Sequence, residues 1–298
     1  MTQIKEPNQR SISDIVTAKT TVEGDGFTVH RPFPNYDVRD FDPFLLLDEM
    51  GPIILEKGEA KGASAHPHRG FETVTYVVDG SFEHRDSQGH SGNLDSGDVQ
   101  WMTAGCGIVH SEMPEKEFAQ KGGRLHGFQL WVNLPKKDKM MNPRYQEIPS
   151  KKIPIAQSND GKVRVKVIAG QSMGKKAVID TKTPIMYLHF FLQPGAQITQ
   201  EIPNNFNAFA YIAQGQGLFG AEQKLAKKEQ AVFFKNDGNK IFFSNPSNAT
   251  ESLELLLLGG TPIGEPVKRS GPFVMNTEEE LEQAIKDFQS GAMGKIEN

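Results

Sequence analysis

The sequence predicts an all-β fold of two tandem β domains followed by a C-terminal helix. Short runs rich in Val, Phe, Tyr and Thr recur along the chain and end at Gly, Asn, Asp or Pro about every 8–12 residues, a rhythm typical of sandwiches and barrels. The length of 298 residues suits about two domains. A strand-and-turn pattern in the first half is repeated in the second half, which indicates two copies of one β unit.

The first β domain is expected within residues 1–135. Its clearest strand is the apolar run 71–78 (FETVTYVV), which closes at Asp79-Gly80, a pair typical of tight turns. Another apolar run, 99–102, follows a second turn that contains glycine. We therefore expect this part of the chain to fold as a β domain.

The second β domain is expected at 183–264. Its first strong run, 186–192 (MYLHFFL), stops at a Pro-Gly pair. The segment 206–215 (FNAFAYIAQG) aligns with 71–80 (FETVTYVVDG), because each begins with an aromatic residue, is mainly apolar and closes at a glycine. These two segments are the predicted repeat.

One helix is predicted near 278–289, within a C-terminal segment, 265–298, that packs back on the barrels. Thr277 and Glu280 have the spacing of a capping box, in which each side chain binds a backbone N–H of the other residue. An apolar face follows at helical spacing, made of Leu281, Ala284, Ile285 and Phe288. We interpret this helix as structural.

Charge divides the chain into three stretches. With 33 basic and 37 acidic side chains the net charge is −4, so no overall cationic field attracts nucleic acid or anionic lipid. The net charge is −8 for 1–135, +8 for 136–182 and −4 for 183–298. We interpret the basic stretch, which includes the first strands of the second domain, as a solvated inter-domain face; a patch for an acidic partner is the alternative. No direct contact with nucleic acid is predicted.

A reducing, membrane-free location is expected. Cys106 is the single cysteine and cannot form an intrachain disulfide, and the first residues lack the apolar stretch of a secretory signal. Apolar runs such as 253–258 are far shorter than the roughly 18 residues needed to span a bilayer. We therefore expect a cytoplasmic protein, and we also expect it to be a monomer. We interpret Cys106 as an isolated thiol in a turn rather than a redox sensor.

Histidines carry the clearest chemical signal. Six of the eight histidines lie between residues 66 and 126. His66 and His68 are two residues apart, as are His110 and Glu112, and residues at this spacing share one face of a strand. Two such pairs on facing strands of a small barrel can converge on one ion. The sequence thus predicts a metal site of three imidazoles and one carboxylate.

Other residues near these pairs leave alternatives open. Glu72 lies four residues beyond His68 and is expected on the same strand face, so it is an alternative ligand to Glu112. The remaining histidines of this region lack a partner at i+2 and are interpreted as surface, supporting or pocket residues: His84, His90 and His126.

The predicted donor set favours an oxygen-activating metal. Three imidazoles and one carboxylate fill at most four positions of an octahedron, which leaves two for water, dioxygen or substrate, as in non-haem Fe(II) enzymes. A closed structural zinc site would more often use thiolates. Because Ni²⁺, Cu²⁺ and Zn²⁺ bind such ligands more tightly than Fe(II), other divalent metals are expected to substitute.

Four sequence motifs resemble the pirin family of the cupin superfamily, in order and over nearly the whole chain. The motifs are DPFLLLDE (42–49), HPHRGFETVTYVVDG (66–80), GDVQWMTAGCGIVHSEMP (97–114) and GPFVMNTEEE (271–280). The resemblance implies a bicupin, with two tandem double-stranded β-helix (jelly-roll) barrels. It also implies that the iron ligands are His66, His68, His110 and Glu112, which favours Glu112 over Glu72.

The same resemblance implies two kinds of function. One is a quercetin 2,3-dioxygenase-type activity on flavonol or enediol-like substrates. For this reaction we expect Glu112 to act also as the catalytic base, and Phe44 and Phe71 to stack the aromatic substrate. The other is a non-catalytic, iron-dependent regulator with a protein partner, either a metabolic enzyme or, for an animal protein in the nucleus, a transcription-factor complex. We favour the dioxygenase.

The second cupin is expected to be free of metal. Opposite the first histidine pair, the segment 197–203 (QITQEIP) contains no histidine, and His189 belongs to an earlier strand. We interpret His189 and Glu201 as structural polar groups. One Fe(II) per chain, in the N-terminal cupin, is therefore predicted.

Overall fold

The computed structural model describes residues 8–296, which form two compact units made almost entirely of β-strands. Neither unit is continuous in sequence. The N-terminal unit comprises Thr20–Pro34, Phe44–Ser150 and the chain from Ile263 onward, and the C-terminal unit comprises the chain up to Lys19, Asn35–Pro43 and Lys151–Pro262.

Strands are numbered along the chain. The earlier strands are β1 (Ile12–Thr17), β2 (Lys19–Glu23), β3 (Phe27–Phe33), β4 (Phe44–Leu55), β5 (Ala63–His68), β6 (Phe71–Asp79), β7 (Ser81–Asp86), β8 (Ser91–Asp95), β9 (Val99–Thr103), β10 (Ile108–Pro114), β11 (Gly123–Asn133), β12 (Arg144–Ile148) and β13 (Ile155–Gln157). The later strands are β14 (Val163–Ala169), β15 (Gln171–Ser172), β16 (Lys175–Lys176), β17 (Ile185–Leu192), β18 (Gln197–Glu201), β19 (Asn207–Gln214), β20 (Gln216–Phe219), β21 (Lys224–Lys227), β22 (Gln230–Phe234), β23 (Lys240–Ser244), β24 (Leu253–Gly260), β25 (Lys268–Ser270) and β26 (Phe273–Met275). The helices are α1 (Lys116–Lys121) and α2 (Glu278–Gln289), and a short 3-10 turn covers Ser150–Lys152.

Each unit is built from a seven-stranded and a four-stranded sheet together with one two-stranded sheet, which is β25-β26 in the N-terminal unit and β15-β16 in the C-terminal unit. In the N-terminal unit the strand orders are β12-β9-β6-β11-β4-β3-β2 and β5-β10-β7-β8. In the C-terminal unit they are β1-β22-β19-β24-β17-β14-β13 and β18-β23-β20-β21. The predicted repeat is confirmed, because β6 and β19 hold the same place, third from one end, in their seven-stranded sheets.

The sequence predicts that 265–298 packs back on the barrels, but it does not indicate that strand β1, near the start of the chain, belongs to the C-terminal unit. The predicted domains 1–135 and 183–264 run continuously along the chain, whereas β1 pairs with β22 of the C-terminal unit and the chain from Ile263 onward belongs to the N-terminal unit. The basic stretch 136–182 is also divided, because β12 is an edge strand of the N-terminal sheet. These assignments depend on long-range strand pairing, which local patterns do not report.

Arg10 anchors the N-terminal segment to the C-terminal unit. Its side chain is fully buried, and its guanidinium donates to the carbonyls of Gly238 at 2.9 Å, Phe206 at 2.7 Å and Pro203 at 2.9 Å. It also donates to the side-chain oxygen of Asn236 at 2.8 Å. These hydrogen bonds compensate for the water that the buried cation loses.

An apolar cluster fills the interior of the C-terminal unit. Successive residues of a strand face opposite sides, so Leu188 and Phe190 of β17 join this cluster while His189 lies on the other face. There His189 forms a hydrogen bond with Glu254 at 2.9 Å. Further members of the cluster come from all parts of the barrel, including Phe206, Phe219, Phe243, Leu253 and Leu255.

The predicted C-terminal helix is confirmed as α2, and both halves of its capping box are present. Leu281 and Ala284 are buried against Phe273 and Met293 of the N-terminal unit, whereas Phe288 remains 40% exposed. The six-residue α1 was not predicted, since it is too short to produce a helical periodicity. No helix within residues 8–296 is long and apolar enough to cross a membrane.

Replacement of Arg10 by Met should destabilise the protein. The variant removes the donors and leaves the buried carbonyl of Phe206 without its partner, at a cost of about 1–3 kcal/mol, so the free energy of unfolding should fall by a comparable amount. Urea denaturation measures this change. The control is Arg85→Met, whose exposed guanidinium pairs with Glu83 and which should cost at most about 1 kcal/mol. Equal losses in the two variants would contradict the anchoring role of Arg10.

Candidate metal centre

Strands β5 and β10 bring the two predicted histidine pairs together. They are antiparallel neighbours in the four-stranded sheet, with His66 directly opposite His110 and His68 opposite Ile108. Residues opposite each other in such a ladder have Cβ atoms about 4.5–5.5 Å apart. His66, His68 and His110 therefore meet on one face, as the spacing predicts.

The three imidazoles form a compact triangle. Their ring centroids are 4.7 Å apart for His66 and His68, 4.4 Å for His66 and His110, and 4.9 Å for His68 and His110. One ring nitrogen from each lies within 4.8 Å of the other two. Two nitrogens bound to one ion at about 2.0–2.1 Å are at most about 4.2 Å apart, so small side-chain shifts suffice for all three to bind it.

The electrostatics of the triangle also suit a metal ion. Burial, together with the neighbouring imidazoles, holds the pKa of His68 well below its usual value and lowers the pKa of His110 to about 4. Both rings are therefore neutral at pH 7, the form that donates a lone pair to a metal. Nδ1 of His68 and both ring nitrogens of His110 are buried without hydrogen-bond partners. Such atoms are costly unless satisfied, and a bound cation would satisfy them.

His66 is oriented by its own strand. Its Nδ1 lies 2.8 Å from the carbonyl oxygen of Ser64, a contact that fixes the ring and leaves Nε2 as the nitrogen available to a metal. Metal-ligating histidines commonly have this arrangement.

Glu112, the fourth predicted ligand, lies beside the histidine triangle but is not part of it. A shift in the register between β5 and β10 falls between His110 and Glu112, which places Glu112 opposite Ala63. Its carboxylate accepts hydrogen bonds from Thr75 Oγ1 at 2.8 Å and Gln129 Nε2 at 2.9 Å. Burial raises its pKa, but the neighbouring imidazoles and these two donors outweigh that effect, so the net pKa is lowered and the group is ionised at neutral pH.

Glu72, the alternative ligand, faces away from the histidines. The chain turns at Gly70 (φ +88°) between β5 and β6, and these strands belong to different sheets. On β6, Thr75 faces the site, so Glu72 lies on the opposite face, where it is fully buried and accepts a hydrogen bond from Thr103 at 2.6 Å. The expected common face of His68 and Glu72 does not exist, because the glycine turn interrupts the strand.

A cavity of about 550 Å³ opens beside the triangle. Its polar lining includes His66, His68, Glu112, Thr75 and Gln129. Its apolar lining consists mainly of Phe27, Val29, Leu46, Met50, Phe82 and Trp131.

The predicted aromatic contacts are replaced by others. Phe44 and Phe71 are fully buried and do not line the cavity; Phe71 lies behind His68, with ring centroids 5.1 Å apart, and against Trp131 at 4.4 Å. Trp131 provides an aromatic wall, and Gln129 lies on the same face of β11. The i, i+2 spacing of these two residues was the sequence signal that could have identified them.

Ionic contacts also line the cavity. Arg31 forms two hydrogen bonds with the carboxylate of Asp48, at 2.7 and 2.6 Å, and pairs with Glu23 at 2.6 Å. The guanidinium of Arg269 lies 4.8 Å from the centroid of the Trp131 ring. The cavity lining therefore combines fixed charges with an aromatic surface.

The other histidines of this region lie outside the cavity lining. Each contacts a carboxylate, and two of the three are buried. The pairs are His84 with Glu147 at 2.9 Å, His126 with Glu49 at 2.9 Å, and the exposed His90 with Asp86 at 3.1 Å.

Comparisons with known proteins agree with the fold and the motifs. The pirin family profile matches residues 26–132, and the profile of the pirin C-terminal cupin domain matches residues 187–294. A pirin-like protein of Solanum lycopersicum is 47% identical over 94% of this chain and 91% of that protein, and human pirin is 41% identical over 96% and 95%. A crystal structure of quercetin 2,3-dioxygenase from Acinetobacter baumannii has a TM-score of 0.89 and 34% identity over 97% of this chain and 99% of that one. The chain belongs to the pirin family of two-domain cupin proteins.

Proposed function

We propose that this protein is a metal-dependent oxygenase of the quercetin 2,3-dioxygenase type that acts on flavonols or related enediol-like aromatic compounds. The observation that carries the proposal is a cavity beside three clustered imidazoles, lined by an ionised carboxylate and an aromatic wall. Its volume of about 550 Å³ lies within the range typical of small-molecule sites. The similarity to a structure described as a quercetin 2,3-dioxygenase supports the choice of substrate.

The residues present fit Fe(II). His66, His68 and His110 would hold the ion, with Glu112 as the adjacent carboxylate donor. Such a set of nitrogen and carboxylate donors with open positions is typical of non-haem iron sites. When bound, Fe(II) supplies the one-electron chemistry with dioxygen that amino-acid side chains lack.

Glu112 is the proposed base for the substrate hydroxyl. One of its carboxylate oxygens accepts the proton, since the group is ionised at neutral pH and lines the cavity. Thr75 and Gln129 each donate to a different oxygen of this carboxylate, so its orientation is fixed while lone pairs remain for the incoming proton. These two residues are thus positioning residues for the base.

The apolar walls receive the aromatic rings of the substrate. Trp131, Leu46 and Met50 surround space beside the histidines, and their burial of an aromatic ring excludes water from the reacting groups. The contact between Arg31 and Asp48 fixes a charged part of the cavity lining.

Oxygen uptake tests the proposal directly. Protein reconstituted with Fe(II) should consume dioxygen when quercetin is added, with a matching loss of flavonol absorbance, because the cavity brings the substrate hydroxyl to Glu112 beside the metal. An oxygen electrode and a spectrophotometer measure the two signals. Iron binding without oxygen uptake for any flavonol would contradict the enzyme proposal and favour a regulator.

Metal analysis should find one ion per chain. The N-terminal unit has the histidine triangle, whereas the interior of the C-terminal unit is filled by apolar side chains. His66→Ala and His110→Ala should therefore lose the ion, while the control His189→Ala should retain it, since His189 contacts Glu254 outside that interior. Two ions per chain after reconstitution would contradict this assignment.

Glu112→Gln should retain part of its iron and lose most of its activity. The variant keeps the size of the side chain but removes the charge that accepts a proton, so flavonol oxidation should fall by roughly 10²-fold or more. Steady-state kinetics and iron analysis measure the two effects. Glu72→Gln is the matched control, because the same change is made on the face of β6 turned away from the cavity. Loss of iron in the Glu72 variant with an unchanged Glu112 variant would reverse the two roles.

A further inference from the structure

Lys139 is a buried cation that the proposed chemistry does not use. It lies in the turn after β11 and is only 1% exposed. Burial lowers its pKa to about 8, so the ammonium form still predominates at neutral pH. A charge in this position is stable only where protein atoms replace its water shell.

The three donors of the ammonium all have acceptors. Nζ donates to the carbonyl of Gly70 at 2.6 Å, to the side-chain oxygen of Asn133 at 2.6 Å and to the carbonyl of Val274 at 2.9 Å. An ammonium has three N–H bonds, so rotation of this side chain would leave a buried donor unpaired. Lys139 therefore joins three segments: the turn after β5, the end of β11 and strand β26.

Two of the three acceptors flank His68. Gly70 follows this histidine by two residues. Val274 follows Pro272 by two residues, and the carbonyl of Pro272 accepts a hydrogen bond from the His68 ring. The backbone joins the same two segments, since the N–H of Arg69 donates to Pro272 at 3.3 Å and the N–H of Val274 donates to Arg69 at 3.0 Å. The ammonium thus holds both sides of the contact between His68 and Pro272.

We propose that Lys139 is a positioning residue for the metal centre, which fixes the orientation of the His68 ring by locking the turn at Gly70 to the segment around Val274. The contact is tight, because a Cβ atom added at Gly70 would lie 2.0 Å from the Val274 carbonyl oxygen. The partners that orient a metal-ligating histidine typically change metal affinity about 10–100-fold when removed. This inference rests on the proposed metal centre.

The test is a Co(II) titration of the metal-free full-length protein, followed by the visible absorption bands that report ligand geometry. Lys139→Met should bind Co(II) about 10–100-fold more weakly than the wild type and show altered bands. The matched control is Lys136→Met, in the same turn, where the side chain is 64% exposed and lies 3.8 Å from Glu280. The control should match the wild type in both affinity and bands.

The outcomes separate positioning from simple stabilisation. A lower Tm in Lys139→Met with unchanged Co(II) affinity and bands would overturn the proposal. If that variant does not fold, Asn133→Leu removes one of the three acceptors and should weaken Co(II) binding by a smaller factor; unchanged binding there would also overturn it. Wild-type protein that binds no Co(II) would overturn the proposed metal centre together with this inference.

Discussion

The antiparallel register between β5 and β10 is the constraint on which the rest of the site depends. It places His66 opposite His110, and because side chains alternate along a strand, it also places His68 on the same face. A slip of one residue would turn one pair to the other side of the sheet. The register is fixed from both sides, since β10 lies between β5 and β7 and its His110 is also opposite Asp86.

The two units show how one architecture serves two purposes. They have the same strand counts and the repeated strands occupy equivalent places, yet one interior holds imidazoles, a carboxylate and a cavity while the other is filled by apolar side chains. On β17 the side chains of Leu188 and Phe190 face inward, so His189, which lies between them, faces outward. The fold provides the frame, and the residue types that face inward decide whether it can bind a metal.

Residues near the end of the chain form part of the site. Arg269 and Pro272 line the cavity, and Asp287 of α2 forms an ion pair at 2.8 Å with Arg69, the residue next to His68. Lys139 adds a buried connection to the same segment. The histidine triangle is therefore supported by residues from the far end of the sequence. Ordering this segment costs conformational entropy, which burial and hydrogen bonding offset.

Local patterns in the sequence determined the β class, the repeated strand, helix α2 with its capping box, and the pairs that carry three clustered histidines. These features depend on turn residues, on a period of two or about four residues, on a local hydrogen bond or on the similarity of two segments, so the sequence specifies them without knowledge of tertiary contacts. Only the tertiary structure decided the place of β1 in the C-terminal unit, the burial of Lys139 and the choice of Trp131 over Phe44 and Phe71 as an aromatic wall. It also turned Glu72 away from the site at Gly70 and offset Glu112 through a register shift. These features arise from pairing and packing between residues far apart in sequence, which no local period encodes.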